Sequence, residues 1–329
     1  MENIKVNEIE NELREIENIK NSSDYNTCSY NIKFLDKALG KIKQGEFVII
    51  CADSGVGKSE LIYNLAFENA KNGKRVLLLA LEAFVSEPTS RIKYKYISTK
   101  YYEKKYYIDH GPITYDKWLD GKFSFLTNLE IEANEYFLNN YETLKVIYKE
   151  TLNDFTIDSL CNLIDEYKDD TDIIYIDHLH YFDLITSNQY KEEGTLAKKI
   201  KHIADTNKVP IICNAHIRKN RDKDSIIHDE KDIMGSSDIY KNATTIIAIA
   251  PYFDNLCKLQ DNEKGLLFPT AFRICKARYR SAVKPYYMGV LNFDIRTNRY
   301  VSKYELYQLN KNASKCEFIS TYEYPAFLK

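Results

Sequence analysis

Short apolar runs recur along the first 250 residues, at positions 47–51, 76–80, 144–148, 173–176, 211–213 and 245–250, with helix-like stretches between them. Runs this short and continuous have no polar face, so each predicts a strand covered on both sides. Strands that alternate with helices predict an α/β fold, a mostly parallel sheet with right-handed crossovers and helices on both faces. Two further runs, 271–275 and 286–293, follow each other without room for a helix and predict an antiparallel C-terminal edge on that sheet. Ahead of the sheet, Ile9, Leu13, Ile16 and Ile19 recur at steps of four and three with charges between them, one apolar stripe on a short helix. Asn21-Ser22-Ser23-Asp24 then reads as a linker. A helix held off by a linker buries its stripe on its own domain or on a neighbouring subunit. No internal repeat is visible.

Composition narrows the partners. The 329 residues carry 46 Lys and Arg against 48 Asp and Glu, a formal charge of -2. No chain-wide positive field draws the protein to nucleic acid or anionic lipid, so any contact with phosphate is local. Hydrophobic residues at 44% and charged residues at 29% exclude wholesale disorder. No apolar run reaches the roughly 18–20 residues of a membrane span, and the N-terminus lacks the features of a secretory signal. The expectation is a soluble chain without membrane partners, cytoplasmic, or in the host cytoplasm if viral. Seven widely spaced cysteines without a C-x-x-C pair predict reduced thiols and no zinc site. The 27 tyrosines accompany an abundance of Asn, Lys and Ile, the bias of an AT-rich coding sequence, so tyrosine clusters carry little functional weight.

Ala52-Asp53-Ser54-Gly55-Val56-Gly57-Lys58-Ser59 lies between a predicted strand and a predicted helix at 60–72, the context of a Walker A phosphate loop. Consecutive backbone N–H groups and a helix N-terminus present positive potential to the β- and γ-phosphates. Lys58 adds a point charge and the Ser59 hydroxyl reaches Mg²⁺. Ala52 departs from the consensus, which begins with glycine. The expected ligands are ATP, or another nucleoside triphosphate, and Mg²⁺. An apolar strand ending in Asp177 has the Walker B pattern, with Asp177 holding the water shell of Mg²⁺. Glu82 ends the strand at 76–81 and is a candidate to orient and deprotonate the attacking water, a surface or helix-capping glutamate being the alternative. The strand at 210–213 runs into Asn214-Ala215-His216, which makes His216 a candidate sensor of the γ-phosphate or a structural histidine.

Together these residues resemble the RecA-type core of DnaB-like replicative helicases, most nearly the phage primase–helicase and mitochondrial Twinkle branch. The resemblance rests on Gly45-Glu46, the phosphate loop, Leu81-Glu82 with Arg91 nine residues on, Asp177-His178 and His216. It continues through Asp232-Ile233-Met234-Gly235-Ser236-Ser237 and Thr244-Thr245-Ile246-Ile247, in order over roughly residues 27–305. Lys276-Ala277-Arg278 is similar to that branch's Lys-x-Arg element. In the family its arginine reaches the γ-phosphate on a neighbouring subunit. The resemblance divides the chain into a linker helix (1–26), a RecA-like core (27–305) and a tail (306–329). It implies a homo-oligomeric ring, a hexamer, that hydrolyses NTP at subunit interfaces and moves along single-stranded DNA to unwind duplex during replication. A separate primase or another replisome protein is an implied partner. Two departures stand out. On the family pattern the sequence is expected to carry no primase or collar domain, and His216 stands where cellular DnaB enzymes usually carry Gln.

Arg218-Lys219-Asn220-Arg221-Asp222-Lys223 follows the His216 strand in a polar stretch without periodicity. Arg218, Lys219, Arg221 and Lys223 suit sequence-independent contact with single-strand phosphates, or form a solvated basic loop. The resemblance places this loop and the one around Gly235 and Ser236 in the pore of the ring. Residues 93–107 mix tyrosines with lysines, and helical spacing turns several tyrosines toward a core rather than toward bases. His178 and His180 lack the further ligands a metal site needs. Two other function classes share the motifs: a RecA- or KaiC-like ATPase switch, and a helicase loader without unwinding activity.

Overall fold

The computed structural model describes residues 28–140, 143–149, 155–179, 182, 189–217, 225–229, 232, 236–252, 265–278 and 286–321, together with Arg14 and Glu17. Arg14 and Glu17 are helical and exposed. The rest of the expected linker helix, its linker and Cys257 lie outside the described residues.

Ten strands form one sheet: β1 (Phe47–Ala52), β2 (Val76–Ala80), β3 (Leu144–Tyr148), β4 (Ile173–Asp177), β5 (Ile211–His216), β6 (Thr245–Pro251), β7 (Leu267–Ala277), β8 (Tyr287–Asp294), β9 (Arg299–Leu309) and β10 (Cys316–Thr321). Their order is β10-β9-β8-β7-β6-β1-β5-β4-β2-β3. The six strands from β6 to β3 are parallel, and the four beyond β6 are antiparallel. The parallel body and the antiparallel edge are as the pattern predicts.

Successive side chains of a strand point to opposite faces, and the apolar runs supply both. Phe47, Ile49 and Cys51 of β1 join one core and Val48, Ile50 and Ala52 the other. The second face is covered by α1 (Lys33–Leu39) and α2 (Lys58–Lys71). A helical layer of α3 (Glu87–Glu103), two short turns and α4 (Thr127–Asn139) gathers a smaller core of its own, in which Tyr94 and Tyr101 are fully buried. The first face is covered by α5 (Ile157–Tyr167) and α6 (Gln189–Asn207), with α7 (Ser236–Asn242) packed on α6. Among the described residues no helix is long and apolar enough to cross a membrane.

The sequence pattern does not predict β9 or β10, and β9 runs across residue 306, where the resemblance places the start of the tail. β9 hides because it is half polar: Ser302 and Lys303 are exposed while Tyr304 and Leu306 enter one core and Tyr307 and Leu309 the other. Its buried Glu305 accepts the Tyr307 hydroxyl at 2.6 Å.

Where the edge strands meet α1, packing leaves no room for a side chain on β8. A Cβ at Gly289 would sit 2.5 Å from the Cγ of Phe34, a ring already set edge-on to Tyr304. Gly289→Ala should therefore destabilise the chain by about 1–3 kcal/mol, the usual cost of overpacking a core. Denaturant unfolding checks this, and a smaller residue at Phe34 should recover part of the loss.

Candidate active site

The parallel register brings the ends of four strands together. Ala52 of β1 lies opposite His216 of β5, and Ala80 of β2 opposite Asp177 of β4. The segments that leave these ends open into one cleft of about 410 Å³, lined among others by Lys58, Ser59, Glu82, Arg91, Asp177 and His216. Ser54, Gly55 and Gly57 line it too. Five separately read candidates thus converge at the carboxyl ends of parallel strands, where open α/β sheets bind ligands.

The loop between β1 and α2 turns on two glycines with left-handed backbone, Gly55 at φ +79° and Gly57 at φ +95°. Any other residue would be strained there. Asp53, Ser54 and Val56 complete the loop. Lys58 is almost buried and donates to the carbonyls of Ala52 (3.0 Å) and Asp53 (2.9 Å). Burial pulls its pKa down, and the carboxylates of Glu82, Asp177 and Asp53 oppose that pull.

Asp177 has no solvent exposure. Its Oδ1 accepts from Asn214 Nδ2 (2.7 Å) and Ser59 Oγ (3.1 Å), and its Oδ2 from the Tyr63 hydroxyl (3.0 Å). Burial raises its pKa while the three donors resist. The Ser59 hydroxyl beside the Asp177 carboxylate is the hard-oxygen pair that suits Mg²⁺. Glu82 is exposed at the rim, its N–H bonded to the Asp177 carbonyl at 3.3 Å. His216 packs its ring on that of His178, with centroids 3.9 Å apart. Burial lowers its pKa, Lys58 lowers it further and Asp177 opposes, so the neutral imidazole is favoured.

A second hollow of about 280 Å³ adjoins the loop, with Gly55 and Val56 on one side and Phe268, Pro269, Phe293 and Tyr300 on the other. Between the two hollows stands Glu60, whose carboxylate pairs with Arg91 at 3.1 Å and with the fully buried Lys95. Arg91 in turn pairs with Glu87 at 3.0 Å.

Lys276 and Arg278 do not line the cleft of their own chain. The Lys276 ammonium lies over the Tyr240 ring at 4.4 Å and donates to the Tyr240 carbonyl, and Arg278 Nη2 donates to the Lys241 carbonyl at 2.6 Å. Arg218, Lys219, Arg221, Lys223 and Gly235 lie outside the described residues, as does His180. Ser236 is described only as the first residue of α7.

The model of the DnaB-like helicase C-terminal domain matches residues 28–282. The chain belongs to that family. Two solved structures show the same fold. The ATPase domain of G40P is similar over 90% of this chain and 99% of its own, with 17% identity and a TM-score of 0.69. A DnaB-like replicative helicase, described with its interactions with primase, is similar over 91% of this chain and 67% of its own, with 16% identity and a TM-score of 0.66. No curated protein matches the sequence.

Sequence reasoning passes over Tyr63, Asn214, Glu60 and Lys95 as site residues of this DnaB-like domain. A signal exists for two of them. Tyr63 falls four residues after Ser59, on the same helix face, and Asn214 is a polar residue near the end of an apolar strand.

The buried charge of Asp177 has a cost that a neutral isostere avoids. Asp177→Asn should raise Tm at neutral pH. That gain should shrink as pH falls toward about 4, because the wild-type carboxyl, with its raised pKa, protonates in the folded state first. Calorimetric scans across pH read the sign directly.

Proposed function

We propose that this chain is the motor of a ring-forming DNA helicase, which hydrolyses ATP or another nucleoside triphosphate with Mg²⁺ and moves along single-stranded DNA to separate duplex during replication. The observation that carries the reading is the convergence of Lys58, Ser59, Glu82, Asp177 and His216 in one cleft of a DnaB-like fold. A bound Mg²⁺ would supply positive charge against the phosphate oxygens. Ser59 and Asp177 are the residues that would hold it. Lys58 leaves the carbonyls of residues 52 and 53 for the phosphates, and the loop amides hold their oxygens. Glu82, free to move at the rim, takes the proton of the attacking water. The neutral His216 offers an N–H to the γ-phosphate from the strand that leads into residues 218–223. The aromatic hollow beside Val56 takes the base, held by stacking rather than by a coded set of hydrogen bonds.

Lys276 and Arg278, turned away from their own cleft, complete the site of an adjacent copy, so hydrolysis belongs to the assembled ring. Arg218, Lys219, Arg221 and Lys223, with Gly235 and Ser236, contact DNA phosphates in the pore. A separate primase or another replisome protein is the implied partner, in the cytoplasm of the cell where replication runs.

Hydrolysis measured with and without single-stranded DNA, with Lys58→Ala as blank, tests the motor. Stimulation that fades with salt and vanishes in the blank is expected, and a duplex strand-displacement assay then reads unwinding separately. Hydrolysis indifferent to DNA overturns the motor in favour of an ATPase switch or a loader. Glu82→Gln should bind nucleotide normally yet turn over about 10²- to 10⁴-fold more slowly. Arg278→Ala should fail alone, and each Arg278→Ala copy mixed into wild-type rings should silence the neighbouring site; unchanged activity in such mixtures rules out action between subunits.

A further inference from the structure

A histidine outside the cleft grips the phosphate loop from behind. His228 is completely buried, and its Nε2 lies 2.7 Å from Oδ2 of Asp53, the second residue of the loop. The other ring nitrogen, Nδ1, faces Asp232 Oδ2 at 3.5 Å. The His228 carbonyl accepts from Arg273 Nη1 at 3.2 Å and from the Cys275 thiol at 3.7 Å. Arg273, itself buried on β7, also pairs with Asp229 at 3.4 Å. The segment that carries His228 is pinned further by Ile226, whose N–H donates to the Ala313 carbonyl at 2.7 Å, and by Ile227 in the core.

Asp53 is held at both ends of the residue. Its carboxylate meets His228, and its carbonyl accepts the Lys58 ammonium at 2.9 Å. Lys58 has to leave that carbonyl to reach a phosphate. The Asp53 peptide then loses a charge-assisted partner, and the remaining tie on the residue is the one to His228. A carboxylate on an anion-binding loop also repels the incoming phosphates, and an N–H aimed at it turns that charge aside. His228 thus ties residues 225–229 and 232 to the loop that would meet the phosphates of a nucleotide.

We propose that His228 is a positioning residue that carries the nucleotide state of the phosphate loop to the segment 225–232 through its bond to Asp53. The segment lies between the two stretches that the helicase reading assigns to DNA. The inference rests on that reading for its purpose but not for its test.

Hydrogen exchange of the full chain, with and without a non-hydrolysable ATP analogue, is the experiment. In the wild type the analogue should slow exchange in a peptide covering 225–232 severalfold, with roughly tenfold as the ceiling set by one charge-assisted hydrogen bond. His228→Leu, which keeps volume without the bond, should lose that response while peptides of residues 52–59 still respond. His228→Gln, which can donate to Asp53, should restore part of it. If either histidine variant is unfolded by circular dichroism, Asp53→Ala removes the same bond from its exposed end and should give the same loss. A wild-type segment that ignores the analogue, or a full response in folded His228→Leu or Asp53→Ala, overturns the proposal. A response without DNA-stimulated hydrolysis would leave the coupling standing and sink the helicase reading instead.

Discussion

The site depends on one carboxylate kept out of water. Asp177 ends β4 with no exposure, and an ion in such a place costs several kcal/mol unless donors surround it. The donors come from two other elements: Ser59 and Tyr63 from the first two turns of α2, and Asn214 from β5. Each can reach Asp177 only if the sheet keeps its order and α2 starts where the phosphate loop releases it. The buried charge therefore constrains the loop, the helix and two strands together. The parallel pairing of Ala80 with Asp177 also brings the Glu82 N–H to the Asp177 backbone carbonyl. A site that binds a divalent cation needs negative charge held in place before the ion arrives. On the proposed role of Asp177 at Mg²⁺, the stability forgone there would be the physical form of that requirement.

A second buried charge fixes the outer layer. Lys95 on α3 has no exposure, and its ammonium meets the Glu60 carboxylate and the Asn298 carbonyl, the latter at 2.7 Å. Burial pushes its pKa down and Glu60 holds it up. Removing either partner strands the other, so α3 cannot slide on α2 without a large penalty. One turn earlier on α3, Arg91 shares Glu60 and faces the cleft. In the tyrosine-rich stretch that resembles a single-strand binder in composition, Tyr94 and Tyr101 are packing residues while Tyr106 and Tyr107 stay exposed. Tyr94 donates to the Arg296 carbonyl at 2.6 Å, and Tyr101 to that of Gly111 at 2.6 Å, with both rings in the satellite core.

What was legible in the sequence follows from how local each signal is. Continuous apolar runs gave the parallel strands because a strand covered on both faces has no polar position to blur it. The phosphate loop was legible because its glycines, lysine and serine are neighbours in sequence and in space. Asp177, Glu82 and His216 could be read as strand-end residues, but only the register shows that their strands end together. β9 was illegible because its buried and exposed residues do not alternate cleanly, and Glu305 inside it looks like a surface residue. His228 lies 175 positions from Asp53. No spacing rule links two residues so far apart, in a stretch whose polar composition reads as loop.

The placement of Lys276 and Arg278 bears on how sites in an assembly would be linked. Both cations sit on the last carbonyls of α7, where a helix has acceptors without intrahelical partners and the negative end of its dipole. The acceptors are neutral carbonyls, and a phosphate on an adjacent copy would compete for the same N–H groups with a full charge. Moving Arg278 to such a phosphate would uncap α7. That helix begins at Ser236, the residue that follows Gly235, and packs on α6 so closely that a Cβ at Gly194 would lie 2.8 Å from Asp238. A seven-residue helix packed this closely shifts as a body rather than bending. On the proposed ring, loss of its C-terminal cap would be felt at its first residue, so the pairing of cations with α7 would offer a mechanical route from one nucleotide site to the segment before Ser236.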